Sequence, residues 1–253
     1  MKMGPHDGRI AVVTGAGRGI GQEYALALAS DGATVVVADL DDELAAETVK
    51  LVASSHGTAV ARHVDVSDHE SVTEFGEWLR REFGTAHILV NNAAIYHSMR
   101  RDSQLEVEIG YWRKVFSVNL DGALLMTQAV APLMIEGGWG RIVNQCSTGA
   151  YSGLGGAYCV SKLALIGLTQ GFARELGEHG ITMNAIAPGL IHTEATMVTV
   201  PDGSRAALVA QQALKKEGQP RDLVAALRFF CGDEAGWVSG QVTIVDGYKT
   251  VRI

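Results

Sequence analysis

The sequence predicts an α/β fold in which a parallel, doubly wound sheet of about seven strands carries helices on both faces. Two observations predict it: short apolar, β-branched runs recur along the 253 residues, and stretches with helical periodicity lie between them. Strands buried on both faces form continuous apolar runs, and right-handed crossover helices connect parallel strands. The predicted strands are Ile10 to Val13, Thr34 to Ala38, Thr58 to His63, Ile88 to Val90, Arg141 to Asn144, Thr182 to Ile186 and Val242 to Val245.

Several predicted helices begin with residue types that favour a helix start. Asp41 or Asp42 can cap the helix that follows the second strand. Ser67, with Glu70 three residues later, has the spacing of a capping box, and Pro220 can open the last helix.

The chain has no Gly/Ser-rich or Pro-rich linker, so we expect one domain over residues 1–253. Two stretches do not fit the alternation of strands and helices: a first insertion near 96–110 and a second insertion near 190–218. Each follows a strand at its carboxyl end, where open α/β sheets bind ligands. We interpret both as parts of a substrate pocket, and the alternative is a pair of surface loops.

Charge and composition argue against several kinds of partner. A net charge of -7 without clustered Lys or Arg predicts neither nucleic-acid binding nor an anionic membrane partner. Met1 to Arg9 lacks the apolar stretch of a signal peptide, and no later apolar run approaches the roughly 20 residues that span a bilayer. Three cysteines and eight scattered histidines suit neither a disulfide framework nor a metal site. We therefore expect a cytoplasmic protein without a metal.

A glycine-rich turn, Thr14 to Gly21, follows the first predicted strand and opens a helix. Its functional glycines are Gly15, Gly19 and Gly21, which allow the backbone to approach a pyrophosphate that the helix N-terminus stabilises. The turn is not a P-loop, because no Gly-Lys-Ser/Thr sequence follows. Taken alone, the turn could equally be a tight connection.

Asp39 strengthens the interpretation of a dinucleotide site. It ends the second strand, 20 residues beyond Gly19, where a carboxylate accepts both adenosine-ribose hydroxyls. The same carboxylate repels a 2′-phosphate, so NAD is favoured over NADP, although Arg18 can offset part of that repulsion. The fold is thus of the Rossmann type. The alternative role for Asp39 is a helix cap.

Tyr158 and Lys162 lie four residues apart, on one face of the helix after the fifth strand. An ammonium near a phenol lowers the phenol's pKa toward the working pH, which predicts that Tyr158 exchanges a proton. Ser147, just past the fifth strand, can hydrogen-bond a substrate oxygen. Cys146 and Cys159 adjoin these residues, so a nucleophilic cysteine is an alternative, without a recognisable Cys/His signature.

Together these motifs resemble the short-chain dehydrogenase/reductase family over nearly the whole chain. The residues that carry the resemblance are Thr14 to Gly21, Asp65-Val66, Asn91-Asn92-Ala93-Ala94, Asn119, Ser147, Tyr158 with Lys162, and Pro188-Gly189. Ala94 stands where the family usually has glycine, and only ten residues separate Ser147 from Tyr158.

The resemblance implies an NAD-dependent oxidoreductase, with NADP less favoured, that interconverts a secondary alcohol and a ketone. Tyr158 would be the general acid/base, assisted by Asn119, Ser147 and Lys162. The implied cofactor contacts are Gly15, Arg18, Gly19, Ile20, Gly21, Asp39, Leu40, Asp65, Val66, Asn92, Ala93, Ala94, Tyr158, Lys162, Pro188, Gly189, Ile191 and Thr193.

The substrate and the assembly are less constrained. Candidate pocket residues, which suggest an apolar or cyclic alcohol or ketone, are Tyr96, Tyr151, Leu154, Leu190, Met197 and Val198. The helix from Tyr158 is apolar on more than one face, and the resemblance implies a homotetramer in which it is covered. Two alternatives keep the fold: a dinucleotide-sensing protein without catalysis, and a methyltransferase, which would have no use for Tyr158 and Lys162.

Overall fold

The computed structural model describes residues 4–97, 99–100, 102–153 and 155–251. The strands within these residues are β1 (Ile10–Thr14), β2 (Thr34–Asp39), β3 (Thr58–His63), β4 (Ile88–Asn91), β5 (Gly140–Gln145), β6 (Ile181–Pro188) and β7 (Val242–Val245). They form one sheet in the order β3-β2-β1-β4-β5-β6-β7, with every neighbouring pair parallel. The predicted doubly wound fold is confirmed, and each predicted strand is correct to within two residues at either end.

The same residues form the helices α1 (Gly19–Ser30), α2 (Asp42–Ser54), α3 (His69–Phe83), α4 (Ile109–Phe116), α5 (Gly122–Gly137), α6 (Gly156–Leu176), α7 (Glu194–Thr199), α8 (Asp202–Gln211) and α9 (Val224–Cys231). A π-helical turn, Ser117–Asp121, joins α4 to α5. A 3-10 turn, Pro220–Leu223, leads into α9, so Pro220 opens the last helix as predicted.

The core consists of two apolar layers, one on each face of the sheet. Successive strand residues point to opposite faces, so Val13 packs with Leu28 of α1 while Val12 packs with Phe75 of α3 and Met126 of α5. Because both faces are covered by helices, most buried strand positions are apolar, which explains why continuous apolar runs identified the strands.

The observed helix starts agree with the sequence at one position and differ at another. Asp41 caps α2, and its side chain accepts two backbone N–H groups of the first turn. The predicted capping box at Ser67 is wrong, because Asp68 caps α3 and accepts from the N–H of Glu70. The Ser67 hydroxyl instead donates to Asp65 at 2.7 Å. An aspartate caps as well as a serine does, so Ser67 was free to take another partner.

The helical run Ile109–Gly137 is an exception to the expectation that no segment could cross a membrane. It has 29 residues, and its most apolar stretch of 18 residues has a mean hydropathy of 1.3, which is enough by length and composition alone. Half of that stretch is buried inside the protein, and it includes Met126 and Val130, which belong to the core. Such burial is typical of a core helix.

Both predicted insertions lie beside the carboxyl ends of the strands. The second insertion contains α7 and α8 and closes on itself, because Ile191 forms a parallel bridge with Gly218. The two insertions meet where the Thr199 hydroxyl donates to the carbonyl oxygen of Tyr96 at 3.2 Å. The two insertions therefore form one continuous wall at the carboxyl ends of the strands.

Candidate active site

A cleft of about 720 Å³ opens at the carboxyl ends of the strands. The strand order reverses between β1 and β4, and this is the position at which doubly wound sheets bind dinucleotides. Its lining includes these predicted cofactor residues: Gly15, Arg18, Gly19, Ile20, Asp39, Leu40, Asp65, Val66, Asn92, Ala93, Ala94, Tyr158, Lys162, Pro188, Gly189, Ile191 and Thr193.

The glycine-rich turn at the start of α1 fits a pyrophosphate. Gly15 and Gly19 have φ angles of 61° and 60°, which other residues rarely adopt. The Asn92 side chain fixes the turn by donating to the carbonyl oxygens of Thr14 and Gly15, both at 2.9 Å. Among the described side chains none caps the N-terminus of α1, so its first N–H groups are available to an anion.

Gly21 differs from the other two glycines because it does not line the cleft. A Cβ atom at this position would lie 2.2 Å from the carbonyl oxygen of Gly15 and 2.5 Å from Nδ2 of Asn92. Gly21 therefore permits α1 to pack closely against the turn, and it acts on the site through this packing.

We expect Gly21→Ala to lower the free energy of unfolding by at least about 2 kcal/mol, because a backbone oxygen blocks the added methyl group. Urea denaturation measures this. Gly203→Ala is the matched control, since Gly203 is also helical and a Cβ there would meet nothing within 4 Å. Equal stability losses in the two variants would contradict the packing role.

Asp39 lies at the end of β2 with its carboxylate at the cleft. Its Oδ2 accepts from the N–H of Gly17 at 2.7 Å, and its Oδ1 accepts from the N–H of Asp41 at 3.0 Å. Since Asp41 caps α2, the alternative role of Asp39 as the cap is wrong. The carboxylate is held rigidly beside the glycine-rich turn.

Ser147, Tyr158 and Lys162 converge at another part of the same cleft. Ser147 follows β5 by two residues, and its side chain lies close enough to that of Tyr158 to lower the pKa of the phenol. The Lys162 Nζ atom lies 5.8 Å from the centre of the Tyr158 ring and donates to the carbonyl oxygen of Gln145 at 2.7 Å. Helix α6 thus presents a phenol and an ammonium to the end of β5.

Burial sets the protonation of this group. Removal from water raises the pKa of Tyr158 and outweighs the hydrogen bond from Ser147, which lowers that pKa. The direction is opposite to the one predicted from the sequence, because the Lys162 ammonium bonds to the Gln145 carbonyl while the phenol is desolvated. Burial also lowers the pKa of Lys162 to about 8.

The neighbouring cysteines do not support nucleophilic catalysis. Burial raises the pKa of the Cys159 thiol, which disfavours the reactive thiolate. The Cys146 thiol is buried and donates to the carbonyl oxygen of Lys162 at 3.2 Å. In the described part of the chain, no group of three or more His, Cys, Asp or Glu side chains is placed to hold a metal ion.

Comparisons with known proteins agree with this geometry. The family model described as enoyl-(acyl carrier protein) reductase matches residues 15–248. An uncharacterised oxidoreductase of Mycobacterium tuberculosis is 45% identical over 248 residues, covering 97% of this chain and 99% of the relative. The chain belongs to the short-chain dehydrogenase/reductase family.

Two further members of the family illustrate its range. Cyclohexanol dehydrogenase of an Acinetobacter species is 31% identical over 246 residues, which cover 96% of each chain. The crystal structure of a gluconate 5-dehydrogenase from Burkholderia cenocepacia, in complex with NADP and tartrate, superposes with a TM-score of 0.91 at 34% identity. That match covers 98% of this chain and 97% of the other.

In this short-chain dehydrogenase/reductase, Asn119 lies in the π-helical turn and is only 2% exposed. Its Oδ1 accepts from the N–H of Ile95 at 2.7 Å, and its Nδ2 donates to Ser161 at 3.2 Å. Asn119 is not part of the cleft lining. It ties the loop after β4 to the α6 turn that carries Tyr158 and Lys162, and π-turns are frequent at functional sites.

The predicted substrate residues are only partly brought together. Tyr96 lines the cleft, with its ring centre 5.4 Å from that of Tyr158. Tyr151 packs instead against the small apolar cluster under β5 and β6, and Leu190 lines a separate cavity of about 230 Å³. The side chains of Met197 and Val198 are exposed and do not line the cleft. Leu154 lies outside the described residues.

The cleft also includes residues that the sequence did not single out: Lys114, Val118, Gln145, Glu194, Ala195 and Thr196. For most of them no local pattern distinguishes a lining residue from a surface residue. Gln145 is different, because a glutamine within a strand that must be buried on both faces is itself a signal.

Proposed function

We propose that the protein is an NAD(H)-dependent oxidoreductase that interconverts a secondary alcohol and a ketone, with Tyr158 as the general acid/base. The observation that carries this proposal is that Tyr158, Ser147 and Lys162 line one cleft together with the carboxylate of Asp39. The chain is also similar to a cyclohexanol dehydrogenase. Tyr96, beside Tyr158, gives the pocket an aromatic wall that suits an apolar or cyclic substrate.

Each catalytic side chain has a defined role in this proposal. NAD(H) supplies the hydride acceptor or donor. In reduction the Tyr158 hydroxyl, which burial keeps protonated, donates its proton to the ketone oxygen, and in oxidation the phenolate takes the alcohol proton. The Ser147 hydroxyl holds the substrate oxygen beside the phenol. The Lys162 ammonium would bind the nicotinamide ribose, while Asn119 positions the surrounding backbone.

The remaining residues would hold the cofactor. The glycine-rich turn would bind the pyrophosphate at the start of α1, and Asp39 would accept the adenosine-ribose hydroxyls. Asp65 and Val66 would border the adenine, Asn92 to Ala94 would line the middle of the cofactor, and Pro188 to Thr193 would hold the nicotinamide end.

The preference for NAD depends on the charge of Asp39, since relatives of this chain include an NADP complex. We expect Asp39→Asn to lower the NAD-over-NADP ratio of kcat/KM by at least about tenfold, because the repulsion of the 2′-phosphate disappears. Initial rates with both cofactors measure this ratio.

Asp41→Asn is the matched control for the cofactor preference. It removes the same charge two residues away, outside the cleft lining, and asparagine still caps α2. We expect this variant to keep the wild-type ratio. A wild-type protein that prefers NADP, or equal shifts in both variants, would contradict the role of Asp39.

A substrate screen tests the proposed reaction. NADH absorbance is followed over a panel of secondary alcohols and ketones, in both directions and with both cofactors. Turnover of at least one pair is expected. NADH binding without any turnover across the panel would instead support the dinucleotide-sensing alternative.

The proposed assembly is a homotetramer in the cytoplasm. The outer face of α6 is apolar, with Leu163 52% exposed and Val160 half-buried, and such a face favours contact with another subunit. Light scattering at micromolar concentration tests this, and a monomer would refute it.

A further inference from the structure

Gln145 is a buried polar residue at the carboxyl end of β5. It is 6% exposed and lines the cleft. Its Oε1 accepts a hydrogen bond from the hydroxyl of Tyr24 at 2.8 Å, and Tyr24 is completely buried in α1. The pair therefore places a phenol and an amide between helix and sheet, where two apolar side chains would pack without any requirement for hydrogen bonds.

The other end of the Gln145 amide is available to a ligand. Its Nε2 atom donates to none of the residues that the structure describes. The protein does not enclose this Nε2 atom, so solvent can reach it. Because Tyr24 holds only one of the two hydrogen-bonding ends of the amide and Gln145 lines the cleft, the second end is left for a molecule bound there.

The position of this free amide along the cleft follows from its neighbours. The backbone carbonyl of the same residue accepts the Lys162 ammonium at 2.7 Å. Ser147, which lines the cleft beside Tyr158, comes two residues later. The Gln145 backbone thus lies beside the catalytic side chains, whereas Asp39 belongs to the other half of the sheet. The side-chain amide points to the α1 face at this same strand end.

We propose that Gln145 is a cofactor-binding residue whose side-chain amide hydrogen-bonds the nicotinamide riboside half of bound NAD(H). Tyr24 is the positioning residue that fixes the orientation of this amide. The inference rests on the proposed function, since it requires the nicotinamide end to lie beside Tyr158. It assigns a binding role to a strand residue and a helix residue outside the motifs identified in the sequence.

The test compares the Kd values of NADH and of ADP, which contains only the adenosine half of the cofactor. We expect Gln145→Leu to raise the Kd of NADH by about fivefold, as for the loss of one hydrogen bond, and to leave the Kd of ADP unchanged. Tyr24→Phe is expected to raise the Kd of NADH by about two- to threefold, because the amide loses its anchor. Calorimetric or fluorescence titration gives both constants.

A double variant separates binding from folding. Gln145→Leu alone leaves the Tyr24 hydroxyl buried without a partner, which destabilises the fold. Combining Gln145→Leu with Tyr24→Phe removes both polar groups, so we expect the melting temperature to recover while NADH binding stays weak. Recovery of stability together with full recovery of NADH affinity would overturn the proposal.

Thr169→Val is the matched control. Thr169 is fully buried and accepts a hydrogen bond from Asn144 at 2.9 Å, so the variant also breaks a polar pair that involves β5. Asn144 directly precedes Gln145 and points to the opposite face of the sheet, away from the cleft lining. We expect wild-type Kd values for both NADH and ADP.

The outcomes distinguish this inference from the proposed function. If wild type binds NADH and Gln145→Leu binds it equally well, or if ADP and NADH weaken equally, the role of Gln145 is wrong and the function stands. A Tyr24→Phe variant with wild-type NADH affinity would overturn the positioning role. If wild type binds neither NADH nor ADP, the proposed function itself fails.

Discussion

Tyr158→Phe is expected to lower kcat by about 10²- to 10⁴-fold in both directions, the usual contribution of a general acid/base. The variant keeps the aromatic ring that contacts Tyr96 and removes only the hydroxyl. Initial rates of NADH formation and consumption measure the loss. The Kd of NADH should remain near that of wild type, since the change affects proton transfer more than binding.

Cys159→Ser is the control for this variant. Cys159 is the direct neighbour of Tyr158, and burial raises the pKa of its thiol. We expect this variant to keep the wild-type rate. A loss of activity in Cys159→Ser, together with a small loss in Tyr158→Phe, would favour the nucleophilic cysteine over the phenol.

Lys162→Met should abolish activity and, at the same time, stabilise the protein without cofactor. Lys162 is 2% exposed, and burial lowers its pKa from 10.5 to about 8. The unfolded chain therefore binds the proton more tightly than the folded protein does, and the charged lysine opposes folding at neutral pH. Each unit of pKa corresponds to about 1.4 kcal/mol, and the loss of the hydrogen bond to Gln145 offsets part of the total. We therefore expect Lys162→Met to raise the free energy of unfolding by about 1–3 kcal/mol.

The stability gain of Lys162→Met should depend on pH. The cost of burying the charged lysine is fully present below about pH 8 and disappears as the pH rises toward 10.5, because both the folded and the unfolded state then lose the proton. Urea denaturation at the two ends of this range should therefore show a gain for Lys162→Met that shrinks with increasing pH. Lys50→Met, an exposed lysine on α2, should leave stability unchanged at both ends. Destabilisation of Lys162→Met at neutral pH would contradict the cost of the buried ammonium.

The sheet and the general position of the site could be predicted because both depend on strong local signals. Strands buried on both faces must be apolar, and Val12 with Val13 shows why no alternation appears in such runs. Parallel strands bring their carboxyl ends to one edge, so Asp39, Ser147 and the glycine-rich turn share a cleft although they are far apart in the chain.

Other features depend on tertiary contacts that the sequence does not show. The pKa of Tyr158 is raised because desolvation of the phenol outweighs the lowering effect of Ser147, and desolvation is not visible in a motif. Leu190 and Met197 lie outside the cleft because the path of the second insertion decides which side chains face inward. The proposed role of Gln145 could not be inferred before its hydrogen bond with Tyr24 was known.

A crystal structure of the protein with NADH bound tests the central claim most directly. We expect the Tyr158 hydroxyl to face the reactive carbon of the nicotinamide ring, with the Ser147 hydroxyl beside it. A nicotinamide ring bound at a distance from Tyr158, or a Tyr158 hydroxyl turned into the core, would contradict the proposed proton transfer.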